Sequence, residues 1–373
     1  MKTDAKITVK ALISIGLLLI PAILIFIFSY FSLQVEEYYS NNWYPAIGNT
    51  LRTITKNLPF SIGDLLYIII AFSLIISFLQ WIINGFGFGF DLQYIVGGLF
   101  IVIRKLLWLY IFFKLIWGLN YDRMGIAYQL NLEPEPYQKE AVVQITKDLM
   151  DSLNACRRQM KDTIMPDQDF EKINREAYKS YQNQSMSYPF LNYRNRAVKK
   201  SLYSPLGDFL GFTGYFNPFT GEAQVRSDIP RIMIPFITCH EMAHQMGYAS
   251  ESEANFVGYL TASHSKDIYF RYSVYLELFS YAQGEEIILF GKEKDYPAFE
   301  QMLQFNKKYL DSLVRKDRKE IRQFFQKRKN KFSPAFGSMY DQYLKLNKQA
   351  AGINSYDDVI AWLIAYKKKF GKI

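Results

Sequence analysis

Three long apolar runs in the first third of the chain limit its possible folds more than any other feature. Residues 11–33 are apolar over about 20 positions, the length at which a helix crosses the hydrocarbon core of a bilayer. Residues 64–84, DLLYIIIAFSLIISFLQWIIN, form a second run. A third lies within residues 95–119, interrupted by Arg104, Lys105 and Lys114. Backbone placed in hydrocarbon must satisfy its own polar groups, so such runs become helices. The sequence therefore predicts a membrane domain over residues 1–120 with three transmembrane helices. Either the charges of the third run snorkel to an interface, or part of residues 92–103 lies along one. GFGFGF at residues 85–90 reads as a short linker. No small-residue cleavage site follows the first run, so it reads as an anchor and not as a removed signal peptide.

Flanking positive charge sets the expected orientation. Lys2, Lys6 and Lys10 precede the first run, whereas residues 34–61 carry only Arg52 and Lys56 against Glu36 and Glu37. This pattern puts the N-terminus in the cytoplasm, and three crossings then put everything after Asn120 outside it. The expected setting is the cytoplasmic (inner) membrane, with the lipid bilayer as a partner and an extracytoplasmic soluble domain over residues 121–373.

From Tyr121 onward the pattern is mainly helical. Residues 136–160, 167–182, 268–289, 296–315 and 355–369 carry apolar side chains at three- and four-residue spacing, with charged opposite faces. Residues 214–225, GYFNPFTGEAQV, place aromatic and β-branched residues on either side of an N-P-F-T-G turn and read as a hairpin. The formal net charge is +9, and much of the excess sits in residues 315–331, RKDRKEIRQFFQKRKNK. With Ile321, Phe324 and Phe325 near helical spacing, that run reads as a solvated helix face; a basic surface toward anionic headgroups is the second reading. No recognition motif accompanies the charge, so nucleic acid is not an expected partner. The two cysteines, Cys156 and Cys239, imply no disulfide framework, and Cys239 reads as a small buried helix residue.

The chemistry concentrates in residues 235–247, PFITCHEMAHQMG. Pro235 suits the first turn of a helix and Gly247 its end. Between them lies H-E-x-x-H, which takes up two of the three histidines in the chain. Residues four apart share one helix face, so His240 and His244 can grip one ion, for which Zn²⁺ is the expected cofactor. Glu241 stands where its carboxylate can take a proton from the attacking water and pass it to a leaving amine. A third ligand must follow. The longer pattern H-E-x-x-H-x-x-G-x-x-H would need histidine where Ser250 stands. Two carboxylates come next. Ser250 to Glu253 fits the S-x-x-E capping box, which gives Glu253 a structural task and leaves Glu251 as the favoured ligand, with Glu253 the alternative. Asn255 is a candidate to orient a ligand, or an ordinary surface amide. His264, Arg271 and Tyr272 are candidates for oxyanion stabilisation, each weighed against a structural role. The hairpin preceding the motif is a candidate edge for an extended substrate, or simply packs on the domain.

HEMAHQMGYASESEANFVGYL resembles the signature of an uncharacterised bacterial family of multi-pass membrane proteins with a zincin-like H-E-x-x-H site. The likeness extends to LPFSIGDLLY, IWGLNYDRMGIAYQL and GYFNPFTGEAQV, and so covers most of the chain. More distantly, E-S-E-A-N at residues 251–255 is similar to the third-ligand pattern of gluzincin metallopeptidases of HtpX-like or ImmA/IrrE-like type, which implies Glu251 as the ligand. The chain departs from the HtpX-like pattern in having Asn255 where Asp is usual, and in a shorter gap after the second histidine. The expected fold class is thus mainly α: three N-terminal transmembrane helices, then a zincin-like α+β domain with a small sheet or hairpin. The expected function is a zinc metallopeptidase acting on an unidentified peptide or protein, with a non-catalytic zinc sensor or a cell-wall amidase as rivals.

Overall fold

The computed structural model describes residues 2–89, 91–160, 169–347 and 356–373. Each apolar run forms one helix, but the ends differ from those expected. Helix α1 (Lys2–Phe28) stops before residue 33, where Ser29 turns its hydroxyl back to the Phe26 carbonyl (2.8 Å). A nine-residue π-helix, Val35–Trp43, follows and leads into α2 (Tyr44–Thr55). Neither of these two helices is among those expected from the sequence. Helix α3 (Ile62–Phe88) starts at Ser61, whose hydroxyl accepts from the Asp64 amide (3.0 Å). It continues through most of the expected Gly-Phe linker, because backbone hydrogen bonding persists to Gly89, where φ is +89°; Phe90 lies outside the described residues. Asp91 caps α4 (Leu92–Ile116) by accepting from the Tyr94 amide (2.8 Å), so the third helix starts earlier than residue 95. It also ends earlier, at a 3₁₀ turn spanning Gly118–Asp122. Three stretches, Val9–Phe28, Ile62–Gly87 and Leu92–Ile116, are long and apolar enough to cross a membrane. Of the three charges in the last, Lys114 is buried against Asp122 (2.7 Å), whereas Arg104 and Lys105 are exposed.

Beyond residue 122 come α5 (Lys139–Gln159), α6 (Phe170–Ser185), α7 (Ile234–Gln245), α8 (Glu251–Ala262) and α9 (Ile268–Glu293). Helices α10 (Tyr296–Tyr309), α11 (Ser312–Lys327), α12 (Ser333–Leu346) and α13 (Tyr356–Phe370) complete the chain. Residues 167, 168 and 355, at the edges of two expected helices, lie outside the described residues. The helix expected over 296–315 is in fact two. Asp311 caps the second by accepting from the Leu313 amide, and Asn154 clamps the break through the Tyr309 carbonyl (2.9 Å) and the Asp311 amide (2.8 Å). The basic run lies on α11. Val314 and Asp317 are buried there, Ile321, Phe324 and Phe325 pack on the core, and most of the remaining charges face solvent.

The expected hairpin forms from β2 (Gly214–Asn217) and β3 (Glu222–Val225). A strand not foreseen, β1 (Val198–Lys200), pairs parallel to β3, giving the order β1-β3-β2. Strand β3 is buried throughout, and β2 forms an edge. The main core wraps α7 and α8 with side chains from α5, α6, α9 and α13, and the two free cysteines are buried. A second apolar cluster joins α1, Tyr39, Tyr44, Ile111, Trp117 and Leu119 to Ala249, in the turn after α7. The membrane-proximal base thus packs against the site's own turn.

Candidate metal centre

Local chemistry starts and stops α7 where the sequence implied. Pro235 stands in the first turn, where no amide partner is lost. At the other end the Tyr248 amide bonds the Ala243 carbonyl and the Gly247 amide bonds the His244 carbonyl. Together these bonds form the αL-terminated Schellman turn. Gly247 sits at φ +88°, and a Cβ there would meet Asn120 and Tyr44 at 2.8 Å, so both conformation and space require glycine. The turn folds the Tyr248 carbonyl back onto His244, whose Nδ1 donates to it (2.7 Å). That bond fixes the tautomer and leaves the Nε2 lone pair facing the site.

Four side chains converge there. His244 Nε2 lies 3.2 Å from His240 Nε2. Glu251, in the first turn of α8, brings Oε2 to 3.2 Å from His240 Nε2 and Oε1 to 3.7 Å from His244 Nε2. Two nitrogens bound at about 2.05 Å to a tetrahedral ion stand about 3.3 Å apart, so these separations fit one zinc-sized ion. His240 Nδ1 is buried without a hydrogen-bond partner, unlike the oriented ring of His244. The Glu251 side chain is 25% exposed and that of His240 12%, which leaves an approach from solvent. Glu241 is buried beneath the histidines, and its Oε2 has no partner within the protein. Burial pushes its carboxyl up to about 7, with the two histidines pulling the other way. Burial would lower His244, but the Glu251 carboxylate beside it lifts it to about 9. Burial works against ionised Glu251 too, yet its contacts with both histidines hold it well below the carboxylate range.

Glu253 has a different setting. Ser250 caps α8 by accepting from the Glu253 amide (3.1 Å), but the Glu253 carboxylate reaches across to the Ile126 amide (2.8 Å). Asn255 is buried and is not a surface amide. His264 is exposed after α8, Tyr272 gives its hydroxyl to buried Asp317 (2.7 Å), and Arg271 lies beside Cys156 and Tyr275.

Several residues around the site carried no sequence signal. Trp117 Nε1 donates to the His244 carbonyl (3.1 Å), and both Tyr44 Oη (2.8 Å) and Arg52 (2.7 Å) donate to the Gln245 carbonyl. The Gln245 bonds satisfy a carbonyl that has no partner within the helix, and Trp117 adds a second donor to the His244 carbonyl that Gly247 already reaches. The Gln245 amide ties α7 to the sheet through the Gly221 (2.7 Å) and Ala197 (3.1 Å) carbonyls. Gly214 of β2 lies so close to Glu241 that a Cβ would overlap its carboxylate. Tyr121 and Tyr343 share a hydroxyl contact (3.3 Å) near Glu251; burial, helped by the Glu251 charge, raises both phenols.

Residues 39–364 match the family model described as a protein of unknown function, DUF3810. The chain belongs to this family. The match starts within the π-helix before α2 and ends within α13, so the DUF3810 region takes in both the apolar helices α3 and α4 and the His-Glu cluster. No curated protein and no solved structure matches the chain.

Proposed function

We propose that this DUF3810 chain is a membrane-anchored, zinc-dependent metallopeptidase of gluzincin type. The observation that carries the reading is the convergence of His240, His244 and Glu251, each offering one ligand atom within 4.8 Å of the others, with Glu241 buried beside them. In this reading the two imidazoles and the Glu251 carboxylate hold the ion, and Tyr248 keeps His244 in the binding tautomer. A zinc ion held there supplies Lewis acidity toward a substrate carbonyl and acidifies water. Glu241 takes the proton from the attacking water and hands it to the leaving amine nitrogen as the C–N bond breaks. The outer edge of β2, half-buried and adjacent to Glu241, is where an extended peptide adds as a further strand. The setting proposed is the cytoplasmic membrane, with the catalytic part on its outer face.

Metal analysis of purified full-length protein tests the first half. Wild type should carry stoichiometric zinc, His240→Ala and Glu251→Ala should lose it, and Glu253→Ala should keep it. Peptide-library cleavage tests the second half: Glu241→Gln should keep zinc and lose hydrolysis. Zinc retained by Glu251→Ala would remove the ligand assignment. Cleavage by Glu241→Gln at the wild-type rate would remove the mechanism.

A further inference from the structure

The stretch Leu92–Ile116 is long and apolar enough to cross a membrane, and Trp117 is the next residue. Its indole donates to the His244 carbonyl (3.1 Å), and its ring centroid lies 6.5 Å from that of the His244 imidazole. The metal centre therefore stands within about 15 Å of the end of a span, a distance that four or five extended residues bridge at about 3.3–3.6 Å each.

Strand β2, at the edge of the sheet, lies at the same level. Tyr215 gives its hydroxyl to Asp64 in the first turn of α3 (2.6 Å), and Phe216 sets its ring against Trp117 (5.3 Å). Successive strand residues face opposite ways, so the edge strand is held between the ends of two spans. At the hairpin turn, Phe219 stacks on Phe112, which lies within the apolar stretch of α4 (6.0 Å). The Leu202 amide bonds the Asp64 carboxylate (2.7 Å), and the Leu202 side chain is exposed beside it.

Helix α12 adds a further contact at this level. Tyr343 meets the Tyr121 hydroxyl (3.3 Å) and lies near Tyr67, in the second turn of α3. It belongs to a row of exposed apolar side chains, Phe332, Phe336, Met339, Tyr343 and Leu346, at three- and four-residue spacing. Ser338, Gln342 and Lys345 form a separate exposed polar face. A helix with two such faces is suited to the boundary between headgroups and acyl chains.

Resting on the peptidase reading, we propose that the substrate is a polypeptide tethered in the same bilayer and cut within a few residues of its anchor. A chain that leaves the bilayer beside α3 and α4 meets β2 directly, in the extended form that strand addition needs. Tethering confines the substrate to the layer that the site occupies and so raises its effective concentration there. A soluble peptide has to enter that layer from bulk water.

Full-length protein supplied with zinc in liposomes tests this, with one cleavable sequence offered in three forms at equal concentration. The first form is a free peptide. The second is tethered five residues from a transmembrane helix, on the side of the metal centre. The third is tethered to the same helix through a folded domain of about 100 residues, roughly 30 Å across, which holds the sequence away from the bilayer. The five-residue form should be cut at least about tenfold faster than the other two. A diacyl lipid in place of the helix tells the two kinds of tether apart. Detergent, which removes the shared bilayer, should bring the free and five-residue forms to the same rate. Glu241→Gln should leave every form intact, so that the rates belong to the metal centre. Equal rates for the three forms in liposomes would overturn the proposal and leave the peptidase reading standing. No cleavage of any form by zinc-loaded wild type would remove both.

Discussion

At the scale of single residues, Gly214 makes the sharpest demand. Its α-carbon lies against Glu241, and no side chain fits between β2 and the carboxylate without moving it. Backbone φ at Gly214 is not positive, so the requirement is space alone. In Gly214→Ala the new methyl group should push the Glu241 carboxylate aside. Misplacing a catalytic group by about 1 Å costs on the order of a hundredfold, so peptide hydrolysis should fall by about that factor while zinc content stays at the wild-type level. Loss of zinc along with activity would instead mean that the methyl disturbs the ligand helix. A second residue reports on the fold alone. Glu286 is buried and accepts from Asn306 Nδ2 (2.7 Å), and burial pushes its carboxyl up to about 7 from 4.5. The folded-state pKa is raised, so its contribution is complete below pH 4.5 and is lost as pH rises to 7. Glu286→Gln keeps an uncharged side chain of the same shape. Its melting temperature should gain on wild type across that window and then hold a constant lead, worth on the order of 2 kcal/mol. A difference that stays flat with pH would show that Glu286 ionises normally.

At the scale of elements, the π-helix Val35–Trp43 is joined to the segment after α4 by one ion pair. Glu36 is fully buried and receives Arg123 through two bonds, Nε (2.8 Å) and Nη2 (2.7 Å), together with the Gly125 amide (3.2 Å) and Gln129 (2.8 Å). Arg123 also donates to the Gly247 carbonyl (3.2 Å) and covers the Tyr248 ring (4.8 Å). The pair therefore reaches the turn that orients His244. Arg123→Met would strand the Glu36 carboxylate in the interior, at a cost of about 3–5 kcal/mol, whereas Glu36→Gln with Arg123→Met together should recover most of that loss. Denaturant titration of the three variants measures both terms, and a double variant as unstable as the single would show that the charges are not the reason. How much of this could be read from the sequence divides along the same line. The motif helix was legible because its signals are local: Pro235 at one end, Gly247 at the other, two histidines one turn apart between them. The hairpin was legible for the same reason. Strand β1 was not, because three residues carry no alternation and its partner β3 follows only after β2. The single helix expected over 296–315 ignored Asp311, a capping residue whose effect depends on Asn154 holding the break open. The donors that complete α7 were invisible, since Trp117 and Tyr44 reach it across 127 and 201 residues of chain.

At the scale of the whole molecule, the question is whether the apolar helices merely tether the metal centre or help to build it. Carbonyls at the end of α7 take donors from the other part of the chain: Gln245 from Tyr44 and Arg52, and His244 from Trp117 in addition to the Gly247 amide. Trp117 also sets its ring against the His244 imidazole, with centroids 6.5 Å apart. On the sheet side, the Glu222 carboxylate accepts from the Gly63 amide (2.6 Å) at the start of α3, and the Tyr215 hydroxyl donates to Asp64 (2.6 Å). The site is thus closed on two sides by segments that precede residue 121. A buried polar group left without its partner costs about 1–3 kcal/mol, and several would be stranded together if those segments were removed. A fragment of residues 121–373 should therefore fail to reach the wild-type state: aggregated, or soluble with zinc affinity reduced at least tenfold. The full chain carrying Trp117→Phe, which deletes one of the two donors to the His244 carbonyl, should keep its zinc and lose only about 0.5–1.5 kcal/mol of stability. Size-exclusion chromatography and zinc titration of the two proteins separate the possibilities. A monodisperse 121–373 fragment that binds zinc as tightly as the full chain would reduce the apolar helices to an anchor. A fragment that fails while Trp117→Phe survives would place the structural boundary of the metal centre inside the membrane-proximal base, ahead of the point where the sequence turns from apolar to soluble.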